Sequence, residues 1–234
     1  ETESLLEWAM AQSLPAEATI IDLCTGSGAL ALALALNRQS RSAAIFRGIF
    51  FSSSVLSVTI VTLIWRFVLA PDGGLLAEAA EGMGLQPIPF LSDPDWVLPA
   101  LAVTTIWWSL GFPIMLLLAG LQQVPADMYE AAELDNASKW TTFRHITLPS
   151  IRRVLIMVVM LQTAAQLQIF GQAQLLTAGG PSGASRTFVL FIYEAAFGRW
   201  ELGYAVAAAE ILFVMILAVT IMQYWAGTRQ DDRA

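Results

Sequence analysis

"LQQVPADMYEAAELDNASKWTTFRHITLPSIRR", residues 121–153, is rich in charge and amide, yet two apolar runs flank it, residues 97–121 and 154–176. A helix needs about 20 mostly apolar residues to cross the hydrocarbon core of a bilayer. Both runs have that length, so the polar stretch reads as a connection between two membrane spans. Asp127 follows Pro125 and stands three residues before Glu130, the spacing of a capping box, and a short helix over 128–134 is expected after it. Asn136 tolerates a left-handed backbone and can turn the chain before a second short helix capped by Ser138. Pro149 is placed to begin the next span, where its missing N–H costs nothing. The segment is expected to be a helix, a turn and a helix projecting from the membrane.

Two further runs, residues 48–69 and 204–225, qualify as spans, and a fifth over 18–36 is apolar apart from Asp22 but carries a glycine-rich centre. Hydrophobic residues make up 56% of the 234 positions and charged residues 13%, about half the charged share of a soluble domain, with mean hydropathy +0.62. Short loops rich in Lys and Arg stay cytoplasmic. Arg38, Arg41 and Arg47 precede the first clear span, Lys139, Arg144, Arg152 and Arg153 lie in the connection between the second and third, and Arg229 and Arg233 follow the last. The loop over 71–96 has five acidic residues and no Lys or Arg. The polar connection is therefore expected in the cytoplasm. Trp96, Trp200, Tyr204, Tyr224 and Trp225 fall near span ends, where amphipathic rings settle at the headgroups.

A formal charge of −7 with no large basic cluster excludes nucleic acid as a partner. The single cysteine, Cys24, forms no internal disulfide, and no Cys/His pair has metal-ligand spacing, so no cofactor or metal is expected. Polar side chains within spans are costly and face the protein interior. The third span holds Gln162, Gln166, Gln168, Gln172 and Gln174. Gln162 and Gln166 are four apart and share a helix face with Phe170, a set that can bond hydroxyls and stack on a sugar ring. Intramembrane amides also join neighbouring helices, and Gln168 and Gln172 lie on a different face, so some of the five have that role. Glu210, deep in the last span, reads either as a pathway residue or as one half of an internal pair. Arg66, near a span end, reads best as a side chain reaching back to the interface. Gly111 and Pro113 break the second span at mid-membrane, as a gating bend or as ordinary packing. His145 reads as a solvent-side residue.

"EAAELDNASKWTTFRHITLP" resembles the EAA loop of binding-protein-dependent ABC importer permeases, whose pattern is matched by Glu130, Ala131, Ala132, Asp135, Ile146, Leu148 and Pro149, with Asn136 where that family usually has Gly. Residues 176–213, with "TAGGP", "IYEAAF" and "GYAVAAA", and residues 46–76 resemble the carbohydrate-uptake permeases, and the resemblance runs over about residues 28–228. It implies an all-α, polytopic transmembrane bundle of the type I importer permease kind in a bacterial or archaeal inner membrane. It further implies two cytosolic ATP-binding subunits gripping Glu130, Ala131, Ala132, Asp135 and Asn136, a second permease subunit, an extracytoplasmic solute-binding protein, and surrounding membrane lipid. The chain itself has no Walker A sequence, so it is no enzyme and nucleotide hydrolysis belongs to other polypeptides. Gln162, Gln166, Phe170 and Glu210 are the substrate-path candidates.

The first 35 residues, "ETESLLEWAMAQSLPAEATIIDLCTGSGALALALA", resemble instead the entry to the catalytic domain of release-factor glutamine methyltransferases, with "TIIDLCTGSG" as strand and S-adenosylmethionine loop. Cys24 replaces a usual Gly there, and the Asn-Pro-Pro-Tyr motif of that family is missing downstream. The chain reads as a chimera: residues 1–35 a methyltransferase-like fragment that does not make a domain, residues 36–234 a transmembrane permease domain whose N-terminal part is truncated or replaced. The expected function is permease subunit of a sugar importer working by alternating access. The alternatives are a non-functional permease fragment and an S-adenosylmethionine-dependent methyltransferase fragment.

Overall fold

A computed structural model describes residues 27–37 and 40–228; the stretch through Gly26, Arg38, Arg229 and Arg233 lie outside it. Regular structure among the described residues is helical throughout: α1 (Ser27–Leu36), α2 (Arg41–Val55), α3 (Val58–Leu69), α4 (Leu75–Gly82), α5 (Pro94–Ser109), α6 (Gly111–Gln122), α7 (Ala126–Leu134), α8 (Lys139–Thr142), α9 (Leu148–Gln166), α10 (Gly171–Leu176), α11 (Phe188–Tyr193) and α12 (Leu202–Thr228). Two π turns, Phe143–Thr147 and Glu194–Gly198, continue α8 into α9 and extend α11. The chain is an all-α, multi-pass membrane bundle.

Helix α6 is its centre, packed on α1, α2, α5 and α9. Ile114, Leu117 and Leu121 of α6 meet Ile151 and Val158 of α9, Ala43 of α2, and Ala29, Ala33 and Leu36 of α1. Residue 35, the expected boundary, lies within α1 between the buried Ala33 and Leu36. Outside, α12 exposes Phe213, Val214, Leu217 and Met222, and α2 exposes Ile45, Phe46 and Ile49. Apolar side chains on so much of the outer surface suit lipid as the surrounding solvent.

The four expected spans are not four straight helices. Residues 48–69 form two helices, α2 and α3, bent by 108°. The cause is local: Leu56 and Ser57 are extended, at ψ 143 and 149, and Ser57 Oγ accepts from the Ile60 N–H to open a new helix. Helices α5 and α6 meet at 44°, at the break that Gly111 and Pro113 lead one to expect. A Cβ on Gly111 would stand 2.3 Å from the Phe50 carbonyl oxygen, so glycine is what lets α2 and α6 touch backbone to backbone. Residues 154–176 also divide, because α9 ends at Gln166 and α10 starts at Gly171. Only 204–225 lies within one unbroken helix, α12.

Candidate coupling handle and solute cavity

The connection between α6 and α9 folds as helix, turn and helix. Helix α7 begins one residue after Pro125, and no side chain caps it. The Asp127 capping box does not form: with Pro125 at the N-cap, Asp127 lies inside the first turn, where its charge favours the helix dipole instead. The other end follows expectation. Asn136 takes φ 50, its N–H reaches the Glu133 carbonyl at 3.0 Å, and the Ala137 N–H reaches Ala132 at 2.9 Å. That pair of bonds is the Schellman closure, with Asn in the place glycine favours. Ser138 then caps α8 by accepting from the Thr141 N–H at 3.2 Å.

Pro149 does not start a fresh helix. The helical path runs on from α8, and the π turn just before Pro149 has the Leu148 N–H bonded to Phe143, five residues back. A proline lacks the N–H for the residue four before it and its ring crowds that carbonyl, and a π turn is a common way to absorb the mismatch. Tyr129 Oη and Thr147 Oγ1 lie 3.2 Å apart, tying α7 to this turn. Glu130, Ala131, Asp135 and Asn136 are exposed, whereas Ala132 is turned inward, so only one of the paired alanines stands free on the surface. Trp140 stacks at 5.6 Å on Phe143 and remains 66% exposed beside a groove of about 620 Å³ that runs from Tyr129 and Glu133 to Thr147. His145 is exposed, with Nδ1 3.1 Å from the Thr141 carbonyl.

A second feature sits where α5 bends into α6. A cavity of about 350 Å³ is lined by Val58, Thr105, Trp108, Ser109, Gln162, Gln166, Gln168, Phe170 and Gln172, and none of its walls carries a charge. Gln162 donates Nε2 to the Ser109 carbonyl at 3.3 Å, and Gln166 donates Nε2 to Ser109 Oγ at 3.3 Å. The Gln166 Oε1 is buried and has no hydrogen-bond partner. A buried acceptor left so is costly and is set to take a donor from whatever fills the space.

The model of the family described as "binding-protein-dependent transport system inner membrane component" matches residues 27–231. The chain belongs to this family. It is 32% identical over 210 residues to the probable ABC transporter permease protein YurN of Bacillus subtilis (strain 168), an alignment covering 88% of this chain and 72% of YurN. The trehalose/maltose transport system permease protein MalF of Thermococcus litoralis is 32% identical over 203 residues, covering 87% of this chain and 68% of its own. The crystal structure of a bacterial alginate ABC transporter in complex with an alginate pentasaccharide-bound periplasmic protein superimposes with TM-score 0.82 over 94% of this chain and 79% of that one, at 22% identity. At that identity the likeness establishes the fold, that of a type I importer permease.

In this permease, Gln162, Gln166 and Phe170 meet in the cavity, though not by sharing a helix face as expected. The periodicity assumed a helix unbroken to residue 170, and α9 stops four residues short. The break also turns Gln168 and Gln172 into the same cavity, where a continuous helix would have carried them away. Glu210 is exposed on α12 beside Val206, Phe213 and Val214 and does not line it. Arg66 is exposed and borders a separate recess with Asp72 and Gln174. Ser109 and Trp108 were missed by the sequence reading. A signal for this turn existed: Ser109 stands four residues before Pro113, and a proline departs from regular helix bonding at that spacing.

Proposed function

We propose that this permease forms the transmembrane path of an ATP-driven importer for a neutral sugar or related polyol. The cavity carries the reading: amides and hydroxyls for hydrogen bonds, the rings of Trp108 and Phe170 for apolar sugar faces, and no charge to favour an ionic solute. The trehalose/maltose specificity in the name of one relative supports the same class.

The handle, with Glu130, Ala131, Asp135 and Asn136 on its surface, docks on a cytosolic ATP-binding subunit. Two such subunits, a second permease subunit and an extracytoplasmic binding protein complete the assembly. ATP binding favours one of two helix arrangements, and the helical path from α8 through the π turn into α9 carries the displacement to the cavity. The chain performs no covalent chemistry. Reconstitution of the full complex in liposomes tests this: ATP-dependent uptake of neutral sugars is expected, with Gln166→Leu lowering uptake about tenfold while the subunits still assemble. Uptake of charged solutes only, or unchanged sugar uptake by that variant, overturns the reading.

A further inference from the structure

Helix α12 has 27 residues, so it is about 40 Å long and overruns a hydrocarbon core of about 30 Å by about 5 Å at each end. Glu210 stands about 12 Å along it from Leu202 and so lies inside that core. One face of α12 is already engaged: Ala208 and Leu212 are buried against Phe188 and Phe191 of α11. Glu210 lies on the opposite face and is exposed, and no described residue gives it a hydrogen bond or an ion pair. Val206, Phe213, Val214, Leu217 and Ile221 are exposed too and extend its stripe at the i+3 and i+4 spacings of a helix.

Hydrocarbon offers a carboxyl neither a donor nor water, so an acidic side chain within a span is held by protein or faces an aqueous space. Glu210 is no wall of the solute cavity. We propose that the Glu210 stripe of α12 seats a helix of a second membrane-spanning subunit, and that this helix presents an arginine, lysine or amide donor to the carboxyl. The complementarity is specific to protein. Acyl chains carry no donor, whereas a helix fixes one at that depth, and a single polar pair amid apolar contact sets the register of the two helices. Farther along α12 an apolar hollow of about 390 Å³, lined by Ala218, Ile221, Met222, Trp225 and Ala226, takes a side chain of the incoming helix. A second copy laid on the same stripe about a two-fold axis would bring carboxyl to carboxyl and supply no donor.

This rests on the importer reading for the identity of the partner, the second permease subunit. Contact is tested in the full complex with the photoreactive p-benzoylphenylalanine in place of Phe213, a ring for a ring on the stripe. Illumination is expected to join the chain to the second permease subunit, identified by the mass of the adduct. Adducts with lipid alone, with a second copy of this chain or with no protein overturn the proposal. Access of water is tested with Glu210→Cys in a Cys24→Ser background. A hydrophilic thiol reagent is expected to leave that cysteine unmodified in the complex, and rapid modification, the sign of an aqueous path, overturns the proposal.

The polar pair is tested by substitution. Glu210→Gln keeps an acceptor and is expected to retain the second permease subunit within about twofold. Glu210→Leu strands the partner's donor, and is expected to lower co-purification of that subunit about tenfold and the unfolding temperature of the complex by about 2–4 °C. Against lipid the same leucine would be welcome, so a raised unfolding temperature with undiminished co-purification overturns the proposal. A complex that carries sugar but gives no cross-link at Phe213 sinks this inference alone. A cross-link to a second subunit in a complex that carries no sugar sinks the solute reading alone.

Discussion

The indole Nε1 of Trp108 donates to the main-chain carbonyl of Leu56 at 3.0 Å, across the corner where α2 gives way to α3. Non-helical backbone at membrane depth is tolerated only where protein or water satisfies it. Trp108 is therefore a strut for the 108° bend as well as a wall of the cavity. Trp108→Phe keeps an aromatic face and removes the donor. The expected cost is about 1–2 kcal/mol, read as a lower unfolding temperature of the solubilised permease, and an unchanged temperature would show that the carbonyl does not need the indole.

Gly111 is the point at which α2 and α6 come together. With the Phe50 carbonyl oxygen 2.3 Å from where a Cβ would sit, Gly111→Ala forces two backbones apart. A loss of about 1–3 kcal/mol is expected, measured as reduced thermal stability and lower yield of assembled complex. Serine at the same position should behave no better, since its Cβ meets the same oxygen.

Asn136 closes the handle in a left-handed conformation that β-branched residues avoid. Asn136→Gly should be nearly neutral, within about 0.5 kcal/mol. Asn136→Val should cost about 1–2 kcal/mol and loosen the turn between α7 and α8. Hydrogen exchange across residues 130–142 distinguishes them: faster exchange is expected for the valine variant alone.

Glu130 stands exposed on α7 with no ion pair drawn to it among the described residues. On the proposed docking, Glu130→Lys places a repelling charge against partner cations and should weaken co-purification of the ATP-binding subunit by roughly an order of magnitude. Membrane insertion and the fold of the handle should be unaltered. Full retention of the partner would remove Glu130 from the docking surface.

Composition and apolar run length were enough to determine that this chain lives in a membrane, because both follow from solvation alone. The handle was also legible: Asn136, Ser138 and the flanking runs act over a few residues, so their order in the chain specifies their geometry. The Asp127 box was the exception, since the chain entered α7 one residue after Pro125. Local sequence also placed the bend at Gly111 and Pro113. It left undecided which face each glutamine shows, because that depends on where α9 ends and on α10, beyond the break, packing against α3 and α5. Ser109 becomes part of the site only when its carbonyl and hydroxyl meet side-chain amides from another helix, more than fifty residues on. A pairing between distant segments is a property of how helices are packed, and tertiary structure alone decided it.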